Sequence, residues 1–267
     1  MKIQRIMLDD YAYLDAYVAD KTEKHIRKAI LVIPGGGYGG ISDREGNPIA
    51  LAFMPYGFNA FVLHYSVRGE NTYPAQLIQA SKAMKHIKDN AEEYGIDKDE
   101  VFAVGFSAGG HLCASLGVMW NRKEIYDEID MPCGYNKPKG IMLVYPVISG
   151  VSEYAHMGSF LNLFDTEKPT KEQLKEISIE LYVNHESSPA YIVHAANDSM
   201  VPVENSLIIA EAYSKCKVPF ELHIYPRGEH GFSLANEITW DGKPEFIQEE
   251  NAKWVENAAM WAEKLGD

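Results

Sequence analysis

The chain has 267 residues, 46% hydrophobic and 24% charged, which suits one large α/β domain with a two-sided buried sheet. Its 38 Asp and Glu outnumber 25 Lys and Arg, and the formal net charge of −13 argues against nucleic acid or an anionic membrane surface as partner. Cys113, Cys133 and Cys216 lack metal-ligand spacing and read as reduced thiols, and no apolar leader or membrane-length run occurs, so a soluble, cytoplasmic protein is expected.

In chain order, loose alternation over 12–19 predicts an edge strand, and the charged residues at 20–28 a turn. Residues 29–33 are a continuous apolar run, the pattern of a central strand covered on both faces, and it ends in Pro34-Gly-Gly-Gly-Tyr38-Gly-Gly40. A loop containing Asp43-Arg44-Glu45 follows. Pro48 then opens a short helix to about Met54, and 58–65 is the next strand. Tyr73-Pro74 begins a long helix with the stripe Leu77, Ala80, Met84, Ile87 and Ala91, stopped by Gly95. A strand ending at 106 launches a small-residue helix to about Trp120. Residues 121–139 are polar and irregular, and 140–145 form another buried strand. The segment 147–188, with a short helix at 170–181, reads as a small cap insertion over the carboxyl ends of the strands. Strands at 190–195 and 219–225 flank a helix over 204–215. A terminal helix starts near Pro244 and carries the stripe Trp254, Ala258, Trp261 and Leu265. Strands alternating with helices predict a single α/β domain over 1–267, with a mostly parallel central sheet flanked by helices.

The chemistry gathers around Gly105-Phe-Ser107-Ala-Gly109. A strand stops, the chain turns sharply, and a helix begins with a serine held at the turn, which is the nucleophile-elbow pattern. Side chains at 105 and 109 would collide with the packed strand or helix, so glycine is required there. Serine is a poor nucleophile until a neutral imidazole accepts its proton, and that imidazole needs a carboxylate to fix its tautomer. In parallel sheets such residues come from loops at the carboxyl ends of strands. Ser107, Asp198 and His230 each occupy such a loop, in the order Ser…Asp…His.

Among nine histidines, His230 alone lies in a Gly-flanked loop after the penultimate element. His111, one helical turn beyond Ser107, reads as structural. His64, His194 and His223 lie within strands as core or sheet-edge residues, and His25, His86, His156 and His185 lack a catalytic context. Asp198 is the acid, with Glu204 and Asp165 as reserves. The oxyanion hole needs backbone N–H groups aimed at the developing charge. Gly36 and Gly37 in the glycine loop, with Ala108 after the nucleophile, are the candidates.

A rival pattern lies in the same loop. Gly35, Gly37 and Gly40 satisfy G-x-G-x-x-G, the dinucleotide fingerprint. That fingerprint needs a helix at the last glycine and an acid ending the next strand, whereas 41–48 reads as loop and the strand ends in His64-Tyr65. His185-Glu186 has Pro189 where a zinc-binding H-E-x-x-H needs its second histidine. No cofactor and no metal are expected.

Several segments together resemble a known group: Pro34-Gly-Gly-Gly-Tyr38, Asp43-Arg-Glu-Gly46, Gly105-Phe-Ser-Ala-Gly-Gly-His-Leu112 and Val144-Tyr-Pro-Val147. Asn197-Asp198 with Val201-Pro-Val-Glu-Asn205, and Gly228-Glu-His-Gly231, complete the set. The resemblance is to the bacterial acetyl esterase and acetylxylan-esterase-like group of the α/β-hydrolase superfamily, related to hormone-sensitive-lipase-like carboxylesterases. It implies an α/β-hydrolase fold, with Ser107 as nucleophile, His230 as base and Asp198 as its partner. The chain departs from the lipase-like relatives in having Pro34 where they carry the histidine of H-G-G-G, and Asn197-Asp198 replaces the more usual Asp-Asp. The activity implied is hydrolysis of short acyl esters, acetyl foremost, of sugars or other small alcohols. A peptidase or amidase, oligopeptidase-like or arylformamidase-like, uses the same three residues. A non-catalytic small-molecule receptor on this scaffold would normally have lost one of them.

Overall fold

The computed structural model describes residues 1–22 and 25–265. Eight strands form one sheet: β1 (Lys2–Met7), β2 (Tyr13–Val18), β3 (Arg27–Ile33), β4 (Phe58–His64), β5 (Ile96–Phe106), β6 (Ile141–Val144), β7 (Ala190–Ala195) and β8 (Phe220–Tyr225). Their spatial order is β1-β2-β4-β3-β5-β6-β7-β8, with β2 antiparallel to both neighbours and every other pairing parallel. The helices are α1 (Asn47–Phe53), α2 (Ala75–Asp89), α3 (Ala91–Tyr94), α4 (Ala108–Val118), α5 (Lys123–Glu128), α6 (Met157–Leu163), α7 (Lys171–Glu176), α8 (Glu204–Cys216) and α9 (Trp254–Lys264).

The apolar runs of the central strands follow from coverage on both faces. Alternate residues enter two separate cores. Leu31, Ile33, Val101 and Ala103 pack with Leu77 and Met84 of α2, Leu112 and Leu116 of α4, and Ile209 of α8. Ile30, Val32, Phe102 and Val104 pack on the other face with Ile49 and Phe53 of α1 and with Trp254, Ala258 and Trp261 of α9. Both layers hold β3 and β5 rigid where their carboxyl ends emerge.

Some boundaries differ from the sequence reading, each for a physical reason. The edge of the sheet is β1, not the segment 12–19, which lies one strand inward as β2. No residue of β1 is fully buried, so no alternation marked it. β5 begins at Ile96, and its start carried no apolar signal because Asp97, Lys98 and Asp99 are charged and exposed. The irregular stretch 121–139 contains α5, and 170–181 divides into α7, capped by a Thr170–Gln173 capping box, and a single 3-10 turn at Ile179–Leu181. The terminal helix starts at Trp254; Pro244 opens only an isolated 3-10 turn. Of the turn expected over 20–28, Thr22 and His25 form a bridge, and 23–24 lie outside the described residues. Among the described residues, no helix is long and apolar enough to cross a membrane.

Candidate active site

β5 delivers Ser107 to the turn before α4, and the serine adopts φ 53, ψ −119. A non-glycine residue there carries strain of about 1–3 kcal/mol, sustained only where the surroundings over-determine it. They do so here. Ser107 N–H donates to Val144 O at 3.0 Å, and Ser107 O accepts from Val147 N–H at 3.0 Å. A Cβ on Gly105 would stand 2.2 Å from Gly109 O, and one on Gly109 would stand 2.2 Å from both Ile33 O and Pro34 O. The two glycines therefore let α4 lie directly on the ends of β3 and β5.

Two further loops meet this turn. Asp198, after β7, accepts the Nδ1–H of His230 on Oδ2 at 2.7 Å. With Nδ1 donating, His230 Nε2 is left to accept the Ser107 hydroxyl, at 2.9 Å. The other carboxylate oxygen, Oδ1, accepts the N–H groups of Met200 and Val201 at 3.0 Å each. Burial by itself would raise the Asp198 pKa. Bonds from His194 and His230, the charge of His230 and the Val201 N–H outweigh it and hold this carboxyl well below the usual range. The pair is therefore an ionised carboxylate beside an imidazole whose tautomer it fixes. Tyr145 closes one side, its ring centroid 5.0 Å from that of His230. The reserve acid Asp165 pairs instead with Arg68 at 2.9 Å, and Glu204 opens α8.

The glycine loop supplies the opposite wall. Gly35 N–H is taken by Glu45 Oε2 at 2.8 Å. Among the described residues, the N–H groups of Gly36, Gly37 and Ala108 donate to no protein acceptor. The loop owes its shape to Gly36, whose φ is +126 and whose Cβ would stand 2.1 Å from Gly40 O. It is pinned from three sides: Tyr65 O–H donates to Pro34 O at 2.8 Å, Asn162 of α6 to Gly37 O at 2.9 Å, and Tyr38 O–H to His111 Nδ1 at 2.8 Å. His111 in turn donates from Nε2 to Ile177 O at 2.7 Å and is buried, so its place is structural. No helix opens at Gly40; a 3-10 turn at Asp43–Glu45 and then α1 follow, so the dinucleotide geometry is absent from this loop.

Three neighbours had no signal in the sequence pattern. Glu45, 4% exposed, accepts Gly35 N–H on one oxygen and Tyr145 O–H on the other at 2.7 Å. His156, from the segment before α6, lines the same cavity of about 360 Å³ as Ser107 and His230, together with Arg44 and Met200. Burial, then the nearby His230, lowers the His156 pKa and keeps that ring neutral. His194, read as a strand residue, stands 3.3 Å from Asp198. Glu45 falls within the Asp43-Arg-Glu-Gly46 segment quoted above, but spacing alone assigned it no role. Among the described residues no group of three or more His, Cys, Asp or Glu side chains could hold a metal ion.

The BD-FAE family model matches residues 14–213, most of the chain, including the glycine loop, Ser107 and Asp198.

The chain belongs to the BD-FAE family.

The dienelactone hydrolase family model matches residues 173–262, which adds the loop of His230. A solved neighbour, the acetyl ester-xyloside bifunctional hydrolase from Caldicellulosiruptor lactoaceticus, is 33% identical with a TM-score of 0.84, covering 98% of this chain and 96% of that one. The architecture is the α/β-hydrolase fold. Endo-1,4-beta-xylanase B of Butyrivibrio fibrisolvens is 38% identical over 224 residues, 81% of this chain and 34% of that protein. The acetylxylan esterase of Xylanibacter ruminicola is 28% identical over 235 residues, 86% of this chain and 45% of that protein. The chain thus spans about a third to a half of the length of these two curated relatives.

Proposed function

We propose that this chain is a serine carboxylesterase that removes short acyl groups, acetyl foremost, from sugars or other small alcohols. One observation carries the reading. An unbroken hydrogen-bonded chain runs from Ser107 through His230 to Asp198, beside three unpaired N–H groups. The names of the relatives, an acetylxylan esterase and an acetyl ester-xyloside hydrolase, support an acetylated carbohydrate as the substrate class.

In this mechanism Ser107 Oγ attacks the ester carbonyl as its proton passes to His230 Nε2. The carbonyl carbon becomes tetrahedral, and its oxygen takes the negative charge. N–H groups of Gly36, Gly37 and Ala108 receive that oxygen; each such donor is worth about 3–4 kcal/mol of transition-state stabilisation. Asp198 holds the Nδ1–H tautomer and stabilises the imidazolium. His230 then gives its proton to the departing alcohol, and the acyl group remains on Ser107. Water then attacks the acyl carbon as His230 takes one of its protons; the bond from that carbon to Ser107 Oγ breaks, the carboxylic acid leaves, and His230 returns the proton to Ser107. The segment 147–188 acts as a small cap: His156 lines the cavity and Asn162 holds the glycine loop. A cavity of about 360 Å³ suits a compact ester rather than a long acyl tail.

Acetylated xylose, a chromogenic acetyl ester, a chromogenic decanoyl ester and N-formylkynurenine, assayed in parallel, test this. Turnover of the two acetyl esters, with little of the decanoyl ester, is expected. Faster turnover of the formyl amide than of either acetyl ester would replace this reading with an amidase.

A further inference from the structure

The mechanism above uses one histidine on Asp198, yet two imidazoles approach its carboxylate. His194, near the end of β7, is 0% exposed. Its Nε2 lies 3.0 Å from Val201 O and 3.3 Å from Asp198 Oδ2. A carbonyl oxygen only accepts, so Nε2 carries the proton, and Nδ1 therefore accepts the hydroxyl of Ser206 in α8 at 2.8 Å. The oxygen that Nε2–H approaches, Oδ2, is the same one that takes Nδ1–H of His230. One carboxylate oxygen thus stands between an imidazole in the cleft and an imidazole buried between β7 and α8.

We propose that His194 is a positioning residue for the reaction: its Nε2–H, shared between Val201 O and Asp198 Oδ2, ties the Asp198 loop to β7 and draws part of the carboxylate's charge away from His230. The proposal rests on the reading of Ser107, His230 and Asp198 as the reacting set.

Asp198 sits in a loop, and loops are the mobile parts of such folds. β7 is hydrogen-bonded along both edges, to β6 and to β8, and is about as fixed as any element of the protein. A donor on β7 that touches both the Asp198 side chain and the Val201 carbonyl transfers that rigidity to the loop. An apolar side chain of similar volume would fill the same space without burying two polar nitrogens, so packing alone does not account for an imidazole here. A hydrogen-bond donor also disperses the negative charge of the oxygen it meets, leaving less to stabilise a His230 imidazolium. The titratable groups that bear on this carboxylate are His194, His230 and, from the segment before α6, His156.

His194→Phe keeps the volume and removes the donor, while His194→Gln keeps an N–H at comparable reach. On a chromogenic acetyl ester, H194F should lower kcat about 10- to 100-fold with KM within about threefold. That matches about the 10–100-fold cost of losing outer hydrogen-bond partners of metal-binding histidines, and is far short of the ~10⁴-fold expected for losing the carboxylate itself. The acid limb of kcat/KM should move to higher pH, because the freed carboxylate stabilises the imidazolium more strongly. H194Q should recover part of both effects. A folded H194F with wild-type kcat and an unmoved limb overturns the proposal. Should H194F fail to fold, His194→Leu, which is smaller and also lacks the donor, takes its place with the same readouts and the same overturning result. Titrating the His230 ring by NMR in wild type and variant reads the link without turnover. A wild type that cleaves no ester would overturn the esterase reading, whereas an unmoved His230 titration would overturn only the role of His194.

Discussion

Glu45 Oε2 accepts the N–H of Gly35 at 2.8 Å, which takes the first N–H of the glycine loop out of any further use. Among the described residues, the N–H groups of the next two glycines, Gly36 and Gly37, meet no protein acceptor. The same carboxylate accepts Tyr145 O–H at 2.7 Å, and Tyr145 packs edge-on against His230. One buried acid therefore braces both the loop proposed to bind the oxyanion and the ring beside the proposed base.

Removing that brace should affect turnover and stability together. Glu45→Ala leaves Gly35 N–H and Tyr145 O–H without their acceptor, at about 1–3 kcal/mol for each buried donor. The expected result is an unfolding free energy lower by about 2 kcal/mol or more, read as a lower urea midpoint, and a kcat lower by about 100-fold, with KM changed far less, because the groups displaced act on the transition state. Glu45→Gln should lie between. Unfolding curves and steady-state kinetics on a chromogenic acetyl ester check both parts.

The glycine loop makes a second, sharper contrast. Gly36 has φ +126, and its Cβ would meet Gly40 O at 2.1 Å, so Gly36→Ala must deform the loop. Gly37 has φ +62, and the atom nearest its Cβ is Ser159 Oγ at 3.9 Å, so Gly37→Ala has room and carries only the left-handed backbone cost of about 1–2 kcal/mol. Activity should fall at least tenfold further in G36A than in G37A. Equal losses in kinetics on a common substrate would show that the loop geometry is not what matters.

His111 sets a pH dependence of stability. Burial lowers its pKa from an ordinary 6.5 to about 4. Between those values the unfolded chain binds a proton that the folded protein does not, so stability rises with pH and is lost as pH falls from 6.5 toward 4. At about 1.4 kcal/mol per pH unit, His111 accounts for about 2 kcal/mol of the loss between pH 6.5 and 5. His111→Gln can still accept from Tyr38 and donate to Ile177 O, but it does not titrate. Urea unfolding of both proteins at the two pH values should show a smaller acid loss in H111Q by about that amount. Parallel losses would mean that His111 is not the group responsible.

What the sequence disclosed and what it hid divide along physical lines. The turn at Ser107 was legible because its constraint is local: Gly105 and Gly109 are needed for clearances that any side chain would violate. Asp198 and His230 were legible because a parallel sheet sends its useful loops to one end, and chain order then names them. The central strands announced themselves by unbroken apolar runs, since both faces are covered. β1 did not, because all its residues are exposed except half-buried Ile6, too little to make an alternating pattern. Glu45, His156 and His194 were hidden because their partners come from remote parts of the chain. Glu45 meets Tyr145, His156 meets Ser107 across the cavity, and His194 depends on how the Asp198 loop folds back on β7. No spacing rule encodes such meetings.

The central claim is that Ser107 is the nucleophile, and covalent trapping tests it most directly. Wild type and Ser107→Ala are treated with a fluorophosphonate, and intact mass and peptide mapping are read beside hydrolysis of an acetyl ester. The account predicts one adduct on wild type, mapped to Ser107, with S107A folded, unlabelled and inactive. Labelling at another residue, or an S107A that keeps full activity, would contradict it.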